Sequence, residues 1–131
     1  MTRQNRNIAN VEDWGEVLPE GWYHVRITKV EERTSESSGE PVAMISMKVQ
    51  EEPFTGRLIN DFASLQAHAL AKLKSYYKAT GQGIFEDGSD DPEALVDGEC
   101  YVNVSHDMYK NQKRLRIAPW GVKSILEGKP E

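Results

Sequence analysis

The chain of 131 residues has a single cysteine, Cys100, so it cannot close an intrachain disulfide, and a reducing compartment follows as the expectation. No apolar run approaches the ~20 residues needed to span a bilayer, and no secretory signal is expected. Missing too are the short patterns of common catalysts: there is no Gly-x-Ser-x-Gly, no phosphate-binding Gly-rich loop, no His-Glu-x-x-His and no Cys-x-x-Cys. The three histidines, His24, His68 and His106, fall on separate predicted elements, and Cys100 lies within a predicted strand as a core residue. An enzyme, a metal centre and a bound cofactor are therefore not expected. Basic residues are absent from 82–99, which holds seven acids. The segment 87–91 lacks the ligand spacing and distal glutamate of an EF-hand loop, so it reads as a solvated loop and not as a Ca²⁺ site.

The net charge of −5 disfavours a nucleic-acid partner only until its distribution is considered. Without the acidic block the remainder is net positive. From Cys100 to Lys123 the single acid Asp107 stands against Lys110, Lys113, Arg114, Arg116 and Lys123. A basic surface away from the acidic loop is thus compatible with the total.

Alternation is the main positive signal. From Gly21 to Arg33, Tyr23, Val25 and Ile27 alternate with Trp22, His24, Arg26 and Thr28, the period of a half-buried strand. The phase slips between Ile27 and Val30, which predicts a bulge or bend near Thr28 and Lys29. A turn-forming run, Thr34 to Pro41, leads to a second strand from Val42 to Gln50, with Ala43, Ile45, Met47 and Val49 inward and Met44, Ser46 and Lys48 outward. The third strand, Arg57 to Phe62, leaves its core side open. One helix is expected from an N-cap at Ser64 to Thr80, with Gly81 as the left-handed stop and Lys72, Lys74 and Lys78 on its solvated face. Asp91-Pro92 predicts a capped helical turn. A fourth strand, Glu99 to Ser105, buries Cys100, Val102 and Val104. It leads through a long hairpin tip, His106 to Lys113, to a fifth strand from Arg114 to Ala118, and Pro119-Trp120-Gly121 ends the sheet.

Strand, strand, strand, helix, strand, strand is the order of the OB-fold, a five-stranded Greek-key barrel with a helix between strands 3 and 4. The expected organisation is a flexible N-terminal arm over 1–13 bearing Arg3 and Arg6, an OB-fold domain over 14–123 and a tail over 124–131. In this fold a ligand crosses strands 2 and 3, between the loops joining strands 1 to 2 and 4 to 5. Single-stranded nucleic acid needs cations along its backbone and aromatic faces for its bases. The candidate residues are Arg26, Lys48, Arg57, Lys110, Lys113, Arg114 and Arg116 for phosphates and Tyr109 for a base. Trp22, Tyr101 and Trp120 are secondary stacking candidates for which packing is the competing role.

Leu18-Pro19-Glu20-Gly21-Trp22-Tyr23-x-Val25-x-Ile27, Pro53-Phe54-Thr55-Gly56-Arg57, Ala79-Thr80-Gly81 and Val102-x-Val104 followed by Tyr109-Lys110-Asn111-Gln112 also resemble a family. It comprises small phage proteins of formally unassigned function, encoded among replication and recombination genes. The resemblance extends from Leu18 to Trp120 and rests on turns and strand starts. It implies an OB fold and a non-catalytic, sequence-independent single-stranded-DNA-binding protein of phage DNA replication or recombination, a viral protein in the cytoplasm of the infected host cell. Single-stranded DNA, or RNA in its place, is the implied partner, with self-association and replication or recombination proteins as further ones and no membrane. Residues 127–131 depart from the acidic, apolar-ended tail through which many such proteins recruit partners. The alternative is a protein-interaction module in which the barrel docks through its acidic loop.

Overall fold

The computed structural model describes residues 18–36, 38–109 and 111–130, with the side chains of Tyr109 and Gln112 outside the description. The expectations for the arm over 1–13, for Trp14 and for Val17 lie outside the described residues. Five strands, β1 (Gly21–Thr34), β2 (Pro41–Val49), β3 (Leu58–Ser64), β4 (Glu99–Tyr109) and β5 (Gln112–Ser124), form one antiparallel sheet in the order β3-β2-β1-β4-β5. Strand β4 lies beside β1 after three hairpin-connected strands, which is a Greek-key order. The single α-helix, α1 (Ala71–Thr80), lies between β3 and β4 in the chain. The sheet is open: among the described residues, β3 and β5 remain its two edges, and closure by strand pairing is not seen. Helix α1 instead packs on β5, β4 and β3, the position of a plug between the edges.

The slip in the first strand is a bulge. Ile27 pairs with Met47 but Lys29 pairs with Ser46, leaving Thr28 as the extra residue, and the Thr28 hydroxyl donates to the Ser46 carbonyl at 3.2 Å. At the same point Ile27 exchanges hydrogen bonds with residues 97 and 98, Ile27 N to Gly98 O at 2.8 Å and Asp97 N to Ile27 O at 2.7 Å. Before the bulge Val25 and Ile27 are buried; after it Val30 is. The extra residue therefore keeps the apolar positions on the core side as the strand bends.

The inward residues of β2 and β4, namely Ala43, Ile45, Met47, Val49, Cys100, Val102 and Val104, are all completely buried. Burial pushes the Cys100 thiol up to about 12, with Asp61 adding to the shift, so it is protonated at neutral pH, as suits a core residue. On β3 the core side is Ile59, Asp61 and Ala63, while Leu58 and Phe62 face outward at 52% and 53% exposure. Met44, expected outside, is 8% exposed, because its outward side chain sits on the row of Phe62 and Glu31 and is covered by its neighbours.

Helix and loops correct further expectations. Ser64 ends β3 and its hydroxyl accepts from Gln66 N, so the helix begins at Ala71 after a short 3-10 turn, Ala67–Ala69. Gly81 does stop it, at φ 72°, donating its N–H to the Tyr77 carbonyl at 2.9 Å. Lys72, expected on the solvated face, is mostly covered and paired with buried Asp61. Asp61 also accepts from the buried Tyr76 hydroxyl at 2.6 Å and from Phe62 N at 3.0 Å. Desolvation raises the Asp61 carboxyl, and the three donors oppose it. Asp91 caps the expected turn, Pro92–Leu95, by accepting from Glu93 N.

Candidate nucleic-acid interface

The hairpin between β4 and β5 is not a loop. Both strands continue past the start of β1, and Ser105, Asp107 and Tyr109 pair with Arg116, Arg114 and Gln112. The connection is residues 110–111 alone, with Asn111 in the left-handed region at φ 64°, a conformation asparagine tolerates well. The expected loop is thus a two-stranded ribbon extending the sheet. Lys110 and the Tyr109 side chain lie outside the described residues.

This ribbon has two faces. Arg114 and Arg116 share the outer one with Asp107, on which both converge: Arg114 Nε lies 2.7 Å from Asp107 Oδ1 and Arg116 Nη1 3.8 Å from Oδ2. The arginines, Arg114 foremost, hold the Asp107 carboxyl below the usual carboxylate range. Lys113 pairs with Met108 and therefore belongs to the opposite face. The sequence-based grouping of Lys113 with the two arginines does not hold on the sheet.

A second group lies on the outer face of the sheet proper. Arg26 on β1 and Lys48 on β2 are directly opposite each other in the ladder, both exposed, and among the described residues neither has a carboxylate partner. Glu99, across from Arg26 on β4, is engaged by His24 Nε2 at 2.8 Å. Leu58 lies beside Lys48 on β3. Arg57 does not join them. It precedes β3 on the core-side parity, half-buried, with its backbone closing the turn to Phe54 and Val49, and its charge acts on the Tyr23 hydroxyl.

From the level of Glu99, opposite Arg26, to that of Ser105, opposite Arg116, is six residues of β4, roughly 20 Å at ~3.3 Å per residue. Arg26 and Lys48 therefore form one cationic station and the ribbon arginines another, with Trp22, His24 and Tyr101 half-buried on the outer face between them. His24 and Tyr101 rings are 5.6 Å apart.

The acidic loop is ordered by its own contacts. Ile84 bridges to Asp90, and the Tyr77 hydroxyl donates to Asp90 Oδ2 at 2.6 Å; together with burial this raises the tyrosine's pKa far above its ordinary value. Ile84 and Phe85 stand out of this loop at 52% and 53% exposure among its carboxylates. Sequence patterning had no means of finding that apolar pair, since neither residue belongs to a periodic segment. Among the described residues no group of three or more histidine, cysteine or acidic side chains is arranged to hold a metal, and no helix is long and apolar enough to cross a membrane.

Residues 4–119 match the pattern of the family described as protein of unknown function (DUF669), and the chain belongs to that family. No curated protein matches the chain.

Proposed function

We propose that this member of a family of unknown function is an OB-fold protein of phage DNA replication or recombination that coats single-stranded DNA without catalysis or sequence preference. Support for the fold comes from the strand order, the bent first strand and the helix between β3 and β4, which are those of an OB barrel left unclosed at its β3–β5 seam. The observation that carries the binding function is the Arg26–Lys48 pair: two adjacent, exposed cations without carboxylate partners among the described residues, on the strand pair flanking the surface this fold uses. Unpaired cations are available to release counterions from a phosphate chain, whereas Arg114 and Arg116 must share themselves with Asp107. In this reading Arg26, Lys48, Lys110, Arg114 and Arg116 contact phosphates, Tyr109 stacks on a base, and Lys113 contributes from the ribbon's other face. Arg57 is left out.

Titration of intrinsic tryptophan fluorescence with oligo-dT, at two salt concentrations and with gel shift alongside, tests the proposal. With about four phosphates neutralised, log K declines against log salt with a slope near −3, from ~0.7 per phosphate on single strands. Absence of binding at low salt refutes it.

A protein-interaction module is the second reading, favoured by the exposed Ile84 and Phe85 in the ordered acidic loop. It predicts co-purification of a partner that is lost when Glu86, Asp87 and Glu93 are neutralised, with indifference to oligonucleotides.

A further inference from the structure

Residues 118–121 of β5 do something that the sheet itself does not require. Val102 pairs with Val122 and Val104 with Ile117, so four residues of β5 bulge out against the single Asn103. The bulge is braced from behind: the Ser75 hydroxyl on α1 donates to the Pro119 carbonyl at 2.6 Å. It is also tight. A Cβ on Gly121 would meet the Ala118 carbonyl oxygen and the Asn103 Cβ, each at 3.2 Å, so a side chain there would press against both. The outcome of this local construction is an indole presented to solvent, with Trp120 at 77% exposure. Bulges re-aim side chains, and a tryptophan is the side chain with most to lose from being aimed at water.

Beside Trp120 lies a cleft of about 290 Å³ between α1 and β5, which Lys78 and Lys123 also line. Among the described residues neither lysine has a carboxylate partner. Glu127 stands in the same cleft, so the site carries two cations and one anion. Ser75 and Ser124 are its hydroxyl donors, the first already committed to Pro119 and the second also serving as a cap for Leu126 N. An aromatic face with adjacent uncommitted cations, set on a braced bulge, suits a base with its attached phosphate better than an apolar peptide. The volume sits at the low end of ~300–1,000 Å³ ligand pockets and admits one such unit.

We propose that this cleft is a second contact site for single-stranded nucleic acid, in which one base stacks on Trp120 and its phosphate lies between Lys78 and Lys123. The proposal rests on the single-strand-binding reading above and adds a site outside the strand 2–3 surface. Lys123 connects the two, since it lies opposite Tyr101 on the outer face of the sheet.

The test compares oligo-dT binding by the full chain and by W120A, W120F and K78Q/K123Q. W120A weakens binding about 5- to 150-fold, the range that stacking of one base on an aromatic ring is worth. W120F retains most of the affinity, and K78Q/K123Q lowers the salt slope by ~1.4, from ~0.7 per lost phosphate contact. Because the indole is exposed, thermal denaturation of W120A matches that of the wild type. If the wild type binds and W120A binds equally well, the cleft site is overturned while the sheet-face reading stands. If the wild type does not bind at low salt, both are overturned.

Discussion

Replacing Asp107 by asparagine isolates the electrostatics of the ribbon from its fold. Asp107 is the one acid of residues 105–116, facing Lys110, Lys113, Arg114 and Arg116, and its carboxylate holds Arg114 in a two-point contact at 2.7 and 3.3 Å and draws in Arg116 at 3.8 Å. The pair is solvent-exposed, so its loss costs the fold at most ~1 kcal/mol. Its removal adds one unit of positive charge to the ribbon and frees two guanidinium groups for phosphate. With one more phosphate neutralised, the binding constant scales by a further factor of salt to the power −0.7. At ~0.1 M salt that is about fivefold tighter binding, and at ~0.3 M about twofold, with the slope of log K against log salt steeper by ~0.7. Fluorescence titration with oligo-dT across that salt range measures both quantities. The pH dependence has a definite sign. Because Asp107 is held below the usual carboxylate range, lowering pH from 7 to 5 leaves it ionised and releases neither arginine; wild-type affinity rises from this source only below pH ~4, and the D107N variant lacks that rise. Weaker binding by D107N, or unchanged affinity with an unchanged slope, refutes the reasoning and identifies the carboxylate as a structural clamp or the ribbon as a bystander.

The double variant R26A/K48A loses two phosphate contacts in this reading, so its salt slope is shallower by ~1.4 than that of the wild type; an unchanged slope removes the sheet-face station. Y76F deletes the buried hydroxyl that donates to Asp61, a charge-assisted bond worth ~1.5–3 kcal/mol, and urea denaturation at pH 7 reads the loss. The Asp61 carboxyl is already raised by burial, and losing a donor to its charged form raises it more, so the Y76F deficit is greatest above that pKa and shrinks as pH falls through it. A deficit independent of pH contradicts the assignment of charge to Asp61. G83A places a Cβ 2.3 Å from the Tyr77 ring at φ 100°, displacing the ring that holds Asp90, and raises amide hydrogen exchange throughout 83–91; unchanged protection there disproves the brace.

Alternation was sufficient to read the core of β1, β2 and β4 and the bulge near Thr28, because in a strand the face is decided by the parity of a residue and one extra residue shows as a break in phase. Gly81 as the helix stop and Asp91 as a cap were equally legible, since both act within a few residues of themselves. The ribbon was not read, although Asn111 suits a left-handed turn, because its strands carry polar residues on both faces once they pass beyond the core. The same limit applied to β3. Its face was undecided because Leu58 and Phe62 on one side balance Ile59 and Ala63 on the other, and only the partnership of Asp61 with Lys72 and Tyr76 across to α1 settles which side is covered.

Periodicity and turn chemistry in the sequence thus determined the elements, their order and most of their buried faces, for these are local properties of the chain. Tertiary structure alone decided which charges are spent on one another. Asp61 takes Lys72, Asp107 takes Arg114 and Arg116, and Arg26, Lys48, Lys78 and Lys123 are left without such partners among the described residues. Ion pairs depend on distances between atoms far apart in the chain, and no pattern of spacing along one strand encodes them.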